Sequence, residues 1–129
     1  MIEYNYTTKI LTKNSNEKFG PFFSAHEMKC HCTLAECSIT IISSKLIKCF
    51  NNLRDLVQRP LQITSGYRCP YYNDFMGGSL LSRHQVGEAL DIIKPDSIDL
   101  LSFEQLALKA GFTYTKRYTN PERIHCDVR

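Results

Sequence analysis

Between residues 39 and 57, Ile42, Leu46, Cys49, Phe50, Leu53, Leu56 and Val57 recur at helical spacing. A stripe of that width must be buried against a sheet or another helix, so it commits the chain to a second layer. The spacing predicts one long amphipathic helix over 39–57. What the rest of the chain offers as a partner is mostly strand. After the break at Pro60, "LQITS" (61–65) reads as a short strand, and "ALDII", "FTYTKRYT" and "RIHCDVR" read as further strands of one antiparallel sheet. Shorter helices are signalled at three places. "SAHEMKC" carries Ser24 and Glu27 as a capping box; "CPYYNDFM" has Pro70 near its start and stops at Gly77 and Gly78. "SFEQLALKAG" opens with Ser102 and Gln105 and has Gly111 past its end. The fold class that follows is α+β, a small antiparallel sheet with helices packed on one face.

At 129 residues the chain is one domain by size and long enough to bury a core without staples. Residues 1–18 are polar and without a sustained period, and read as a strand fragment or frayed amino-terminal arm; residues 19–129 form the domain proper. With 43% hydrophobic and 22% charged residues the composition is that of a globular protein. No run of apolar residues is long enough to span a membrane. A net charge of +3 gives no basis for a nucleic-acid partner, although it is compatible with an anionic polymer. The opening residues lack the apolar stretch of an export signal, so cytoplasmic synthesis is expected. Free thiols are then the default for the six cysteines. In "CHCTLAEC", Cys30, His31, Cys32 and Cys37 are all possible metal ligands, but structural zinc sites favour at least two residues between paired cysteines. Buried or half-buried thiols are therefore expected there, with Cys49 as a further member of the group.

The polar residues of the carboxy-terminal half are patterned. In "ERIHCDVR" strand alternation sends His125, Asp127 and Arg129 to one face and Ile124, Cys126 and Val128 to the other. The same parity in "EALDI" puts Ala89 with Asp91, opposite Leu90 and Ile92. Two neighbouring strands with those faces aligned can offer Asp91 and His125 to one metal, with His84 from the preceding loop as third ligand. Two histidines and a carboxylate, with a fourth position open to water, make a catalytic zinc set. Glu122, three residues before His125, stands where a general base can sit. The alternative from pattern alone is a pair of ordinary polar strand faces.

Three blocks in order carry a resemblance: "ITSGYRCPYYNDFMGG", then "SRHQVGEALD" with the pattern S-x-H-x-x-G-x-A-x-D, then "ERIHCDVR". Together they closely resemble the zinc D-Ala-D-Ala carboxypeptidase family. Its relatives include D-Ala-D-Ala dipeptidases and the L-Ala-D-Glu endopeptidases of phage endolysins, and the zinc domain of hedgehog signalling proteins shares its fold. The resemblance runs from about Phe19 to the end. It implies that His84, Asp91 and His125 bind one zinc ion per chain, that Glu122 is the general base, and that Arg68 contacts substrate and developing charge. It also makes Ser82 a substrate or supporting contact and Asp127 a support for the ligands; the residues themselves make Tyr67, in "GYRCPYY", a candidate for either the substrate groove or core packing. Cys69 and Cys126 depart from the family's pattern.

The function implied is a zinc metallopeptidase hydrolysing peptidoglycan stem peptides, of D-Ala-D-Ala carboxypeptidase or L-Ala-D-Glu endopeptidase type and possible in a phage endolysin. Such a protein acts as a monomer at the cell wall, after release or as a virion component. The alternative is a non-catalytic, zinc-stabilised binding or virion structural module on the same fold.

Overall fold

The computed structural model describes residues 7–129; the first six residues of the expected amino-terminal arm lie outside them. Strand β1 (Thr8–Thr12) pairs antiparallel with β4 (Ile39–Ser43), so the strand reading holds for that part of the arm. Strands β2 (Lys18–Gly20) and β3 (Phe23–Ser24) form a second ribbon. A single 3-10 turn follows at Ala25–Met28, where the Ser24 N–H donates to Glu27 Oε2 at 2.9 Å as the capping-box signature requires.

The long helix is shorter than its apolar spacing predicts. Residues 39–43 are strand β4, and helix α1 runs Ser44–Val57. The run Ile39-Thr40-Ile41-Ile42 is β-branched throughout, and Thr40 and Ile42 are both buried while Ile39 is exposed, a period of two. Ser43 then caps the helix, its Oγ accepting from Lys45 N–H at 3.1 Å. Leu46, Cys49, Phe50, Leu53 and Val57 are its buried face; Leu56 is exposed.

The principal sheet holds β5 (Ile63–Ser65), β6 (Ala89–Ile93), β7 (Tyr114–Tyr118) and β8 (Arg123–Asp127) in the order β5-β6-β8-β7, antiparallel throughout. Helix α2 (Pro70–Phe75) and a 3-10 turn at Arg83–Val86 lie between β5 and β6. Helix α3 (Leu100–Ala110) packs against β7, β8 and α1. Its cap is Asp99, not Ser102. The Asp99 carboxylate accepts from both the N–H and the hydroxyl of Ser102, at 2.8 and 2.9 Å, which draws Ser102 into the first turn. Leu90, Ile92, Ile124 and Cys126 point from the sheet into one core with Phe50, Leu53, Phe103 and Ala107. The α+β expectation stands. The opposite face of the sheet carries Asp91, His125, Lys116 and Arg123, together with Ala89 and Ile93. Among the described residues no helix is long and apolar enough to cross a membrane.

Candidate metal centre

The register of the sheet sets two of the three expected ligands side by side. Asp91 on β6 is the cross-strand partner of His125 on β8, and Ser65 and Lys116 extend the same row onto β5 and β7. Side chains opposite one another on a single face are neighbours by backbone geometry alone. His125 Nδ1 lies 3.1 Å from Asp91 Oδ1.

His84 arrives from the 3-10 turn. Ser82 Oγ accepts from His84 N–H at 3.3 Å and so starts that turn. Gly87 ends it at φ +72°, where a side chain would be strained and its Cβ would run into the Ile41 carbonyl. The close approach lets Ser43 N–H donate to Gly87 O at 2.9 Å, fastening the turn to β4. On the other side Arg68 N–H donates to His84 O at 3.1 Å. His84 Nε2 then stands 3.3 Å from Asp91 Oδ1.

Both ring orientations are fixed from behind. His84 Nδ1 is 2.7 Å from the Gly66 carbonyl, which can only accept, so that nitrogen carries the proton. His125 Nε2 is 2.8 Å from Asp127 Oδ2, and Asp127 in turn accepts from the Arg129 guanidinium at 2.8 and 3.0 Å. The inward nitrogens, His84 Nε2 and His125 Nδ1, therefore face the Asp91 oxygen, where each can either donate a proton to it or, once deprotonated, offer a lone pair to a metal ion. A metal cation can take the place of the protons between the two rings and the carboxylate. The ligand atoms of His84, Asp91 and His125 all lie within 4.8 Å of one another. Zinc bonds of about 2.0–2.1 Å in a tetrahedron put ligand atoms about 3.4 Å apart, close to the spacings seen. The residues fit the ion.

The charges follow from these contacts. Burial pushes the Asp91 carboxyl up, but hydrogen bonds from His125 and His84 outweigh it and hold the group well below the usual carboxylate range. Burial likewise depresses His125, yet its bonds to Asp91 and Asp127 leave its pKa raised. For Asp127 the bonds from Arg129 and His125 overcome burial and lower its pKa.

Arg68 is placed differently from a free substrate contact. Its Nη2 pairs with Asp91 Oδ2 at 3.1 Å and its Nε donates to Ser65 Oγ at 2.9 Å. It holds Asp91 so that Oδ1 faces the histidines, while Nη1 makes no hydrogen bond among the described residues. Ser82 lines the cleft beside His84. Tyr67 does not: it is buried in the core, and burial, with the thiols near it, pushes its phenol up to about 12. Glu122 lies in the turn before β8, exposed and outside the cleft lining, its carboxylate unbonded among the described residues.

The cleft over the three ligands has a volume of about 600 Å³. Arg68, Arg83, Lys116, Arg123 and Arg129 line it, with Asp91 as the only carboxylate among its lining residues. Lys116, Arg123 and the supports Ser65 and Gly66 had no place in the sequence reading. Strand parity carried a signal for Arg123, two residues from His125; the supports had none, because their roles depend on cross-strand register.

Two histidines and one carboxylate beside an open cleft make a donor set that fits a zinc ion with a position left for water. The peptidase M15 family profile matches residues 21–127, and the chain belongs to that family, one of zinc peptidases. No curated protein sequence matches it significantly.

Proposed function

We propose that the protein hydrolyses peptidoglycan stem peptides at a bond next to a carboxylate, either D-Ala-D-Ala or L-Ala-D-Glu. The observation that carries this reading is the cleft itself, where five cationic side chains surround the three ligands. Both candidate bonds place a carboxylate beside the scissile amide, at the chain terminus or on the D-Glu α-carbon. His84, Asp91 and His125 would hold the zinc ion, which supplies Lewis acidity toward the scissile carbonyl and toward water.

The chain's own residues do the rest. Arg68 keeps Asp91 in its ligating orientation and offers Nη1 to the oxygen on which charge develops. Lys116 and Arg123, on the same face as His125, are positioned to meet the substrate carboxylate. Glu122, next to the cleft-lining Arg123, is the proposed acceptor of the attacking water's proton; with no partner to hold it outward, it is free to turn in. The substrate locates the work at the wall, reached by release from the cell or as part of a virion.

Digestion of purified peptidoglycan followed by mass spectrometry tests this. Loss of D-Ala or scission after L-Ala is expected, with no cleavage of casein or other all-L peptides. Efficient hydrolysis of all-L peptides would refute the substrate class. One observation favours a second reading, a zinc-stabilised module that binds stems without cutting them: Glu122 lies outside the cleft. Zinc-loaded protein that binds muropeptides and releases nothing would establish it.

A further inference from the structure

The six cysteines are all unbridged. Cys49 and Cys126 lie singly in the apolar core. The other four converge. Cys30, Cys32 and Cys37 come from the segment between the Ala25–Met28 turn and β4, and Cys69 comes from the amino-terminal cap of α2. Their four Sγ atoms all lie within 4.8 Å of one another. Cys69 Sγ stands 3.7 Å from Cys30 Sγ and 3.7 Å from Cys32 Sγ. A tetrahedron with metal–thiolate bonds of about 2.3 Å has edges of about 3.8 Å. A disulfide instead brings two sulfurs to about 2.0 Å. We infer that Cys30, Cys32, Cys37 and Cys69 hold a second, structural zinc ion, separate from the centre formed by His84, Asp91 and His125.

The surroundings suit a charged cluster of thiolates. Four thiolates around one divalent ion leave a net charge of −2 by arithmetic. Cys30 Sγ accepts from Cys69 N–H and Cys69 Sγ accepts from Tyr72 N–H, both at 3.4 Å. Lys13 brings its ammonium to 3.4 Å from Cys32 Sγ and to 3.1 Å from the Cys32 carbonyl. Main-chain donors and one lysine are the partners that such a charge requires. Residues 29–38 have no helix or strand of their own, yet Cys30 and Cys37 are buried there. A largely exposed connection of that length, without regular structure and anchored by two buried cysteines, gains its order from a closed four-ligand site.

The expectation of free, buried or half-buried thiols holds, and the inference adds a ligand role for four of them. The spacing between Cys30 and Cys32 argued against a zinc pair, but the fourth ligand lies 39 residues after Cys30 and was not visible locally. Neither His31 nor Cys49 belongs to the cluster. Cys69 directly follows Arg68. Met28, two residues before Cys30, accepts from Tyr67 N–H and packs against Gly66, whose carbonyl orients His84. The second ion would thus pin both chain segments that support the first.

Elemental analysis and native mass spectrometry of the whole protein test the inference. Two zinc ions per chain are expected, falling to one in His84→Ala/His125→Ala and to one in Cys32→Ser/Cys37→Ser, with Cys49→Ala keeping both. Because the cysteine variant can fail to fold, the decisive measurement uses His84→Ala/His125→Ala with every cysteine intact. Its remaining zinc should show four sulfur ligands at about 2.3 Å by X-ray absorption. Cobalt in its place should give strong thiolate charge-transfer bands. The inference is overturned if that variant holds no metal, if its ion is iron, or if intact mass shows any of the four cysteines in a disulfide.

Discussion

Asp127 makes the candidate metal centre depend on a fully buried residue that stands behind one of its ligands. It is 0% exposed, and its carboxylate accepts from His125 Nε2 at 2.8 Å and from Arg129 Nη2, Nε and main-chain N–H at 2.8, 3.0 and 3.2 Å. In Asp127→Asn one of the two oxygens becomes a donor. If the amide oxygen stays toward His125, the NH2 faces the N–H groups of Arg129; if it flips, the NH2 faces His125 itself. Either way the negative charge behind His125 is gone, and the imidazole becomes a weaker ligand. Losing such a partner lowers metal affinity by about 10–100-fold, or about 1.4–2.8 kcal/mol. Arg129 is 45% exposed at its side chain and can turn to water, so the fold should survive. The assay is chelator competition for the zinc ion that is lost in His84→Ala/His125→Ala. An affinity within two-fold of the parent protein would refute the reasoning. So would an unchanged effect of Asp127→Asn in a His125→Ala background, since the coupling must pass through that ring.

Glu122→Gln should keep its zinc and lose roughly 10²–10⁴-fold in turnover; activity within a few-fold of the parent removes Glu122 from the chemistry. Arg68→Lys cannot hold both Ser65 and Asp91, so kcat/KM on muropeptides should fall by at least ~1.5 kcal/mol, and an unchanged value would show that the fork is not needed. In Gly66→Ala the new Cβ would stand 2.8 Å from Met28 Cα, so the chain must shift; about 1–3 kcal/mol of stability and part of the zinc affinity should go, as a thermal melt and a zinc titration would show. Asp99→Ala should lower Tm at neutral pH. Hydrogen bonds from Ser102 depress the Asp99 carboxyl below its usual 3.8, so its contribution is full above that value and is lost as pH falls through the lower, folded one. The Tm gap should therefore close in acid, and a gap that persists there would mean that the cap does not act through its charge.

The convergence of the candidate ligands was legible because strand parity is a property of the backbone. Once "EALDI" and "RIHCDVR" are strands, Asp91 and His125 each lie on the face opposite the apolar residues, and only the register remained to be found. His84 followed from its place in the loop just before β6, and the family resemblance matched all three positions. Residues 39–43 were misread because Ile42 and Leu46 satisfy the helical period while Thr40 and Ile42 satisfy that of a strand. A β-branched run decided between them, with β1 as the partner. Ser102 was misread as a cap because the capping-box pattern does not see a stronger acceptor three residues upstream. Arg68 was recognised as important but not for its bond to Asp91, and Cys69 was seen only as a departure. Both depend on where the segment after β5 lies relative to distant residues.

That segment explains how the two clusters divide the work of positioning. Asp91 and His125 sit on paired strands, so the ladder hydrogen bonds of β6 and β8 already hold their Cα atoms in place. His84 has no such ladder. Its turn is tied at Gly87 to β4, and its ring and carbonyl are tied to Gly66 and Arg68, in the stretch between β5 and α2. A stretch without helix or strand can orient a ligand only if it is fixed from its own far side. There Tyr67 N–H bonds to Met28 O at 2.8 Å, and Cys69 meets Cys30 and Cys32. The histidine that the sheet cannot position is thus held through the cysteine cluster, which is why a chain large enough to fold without staples would still keep one at this point.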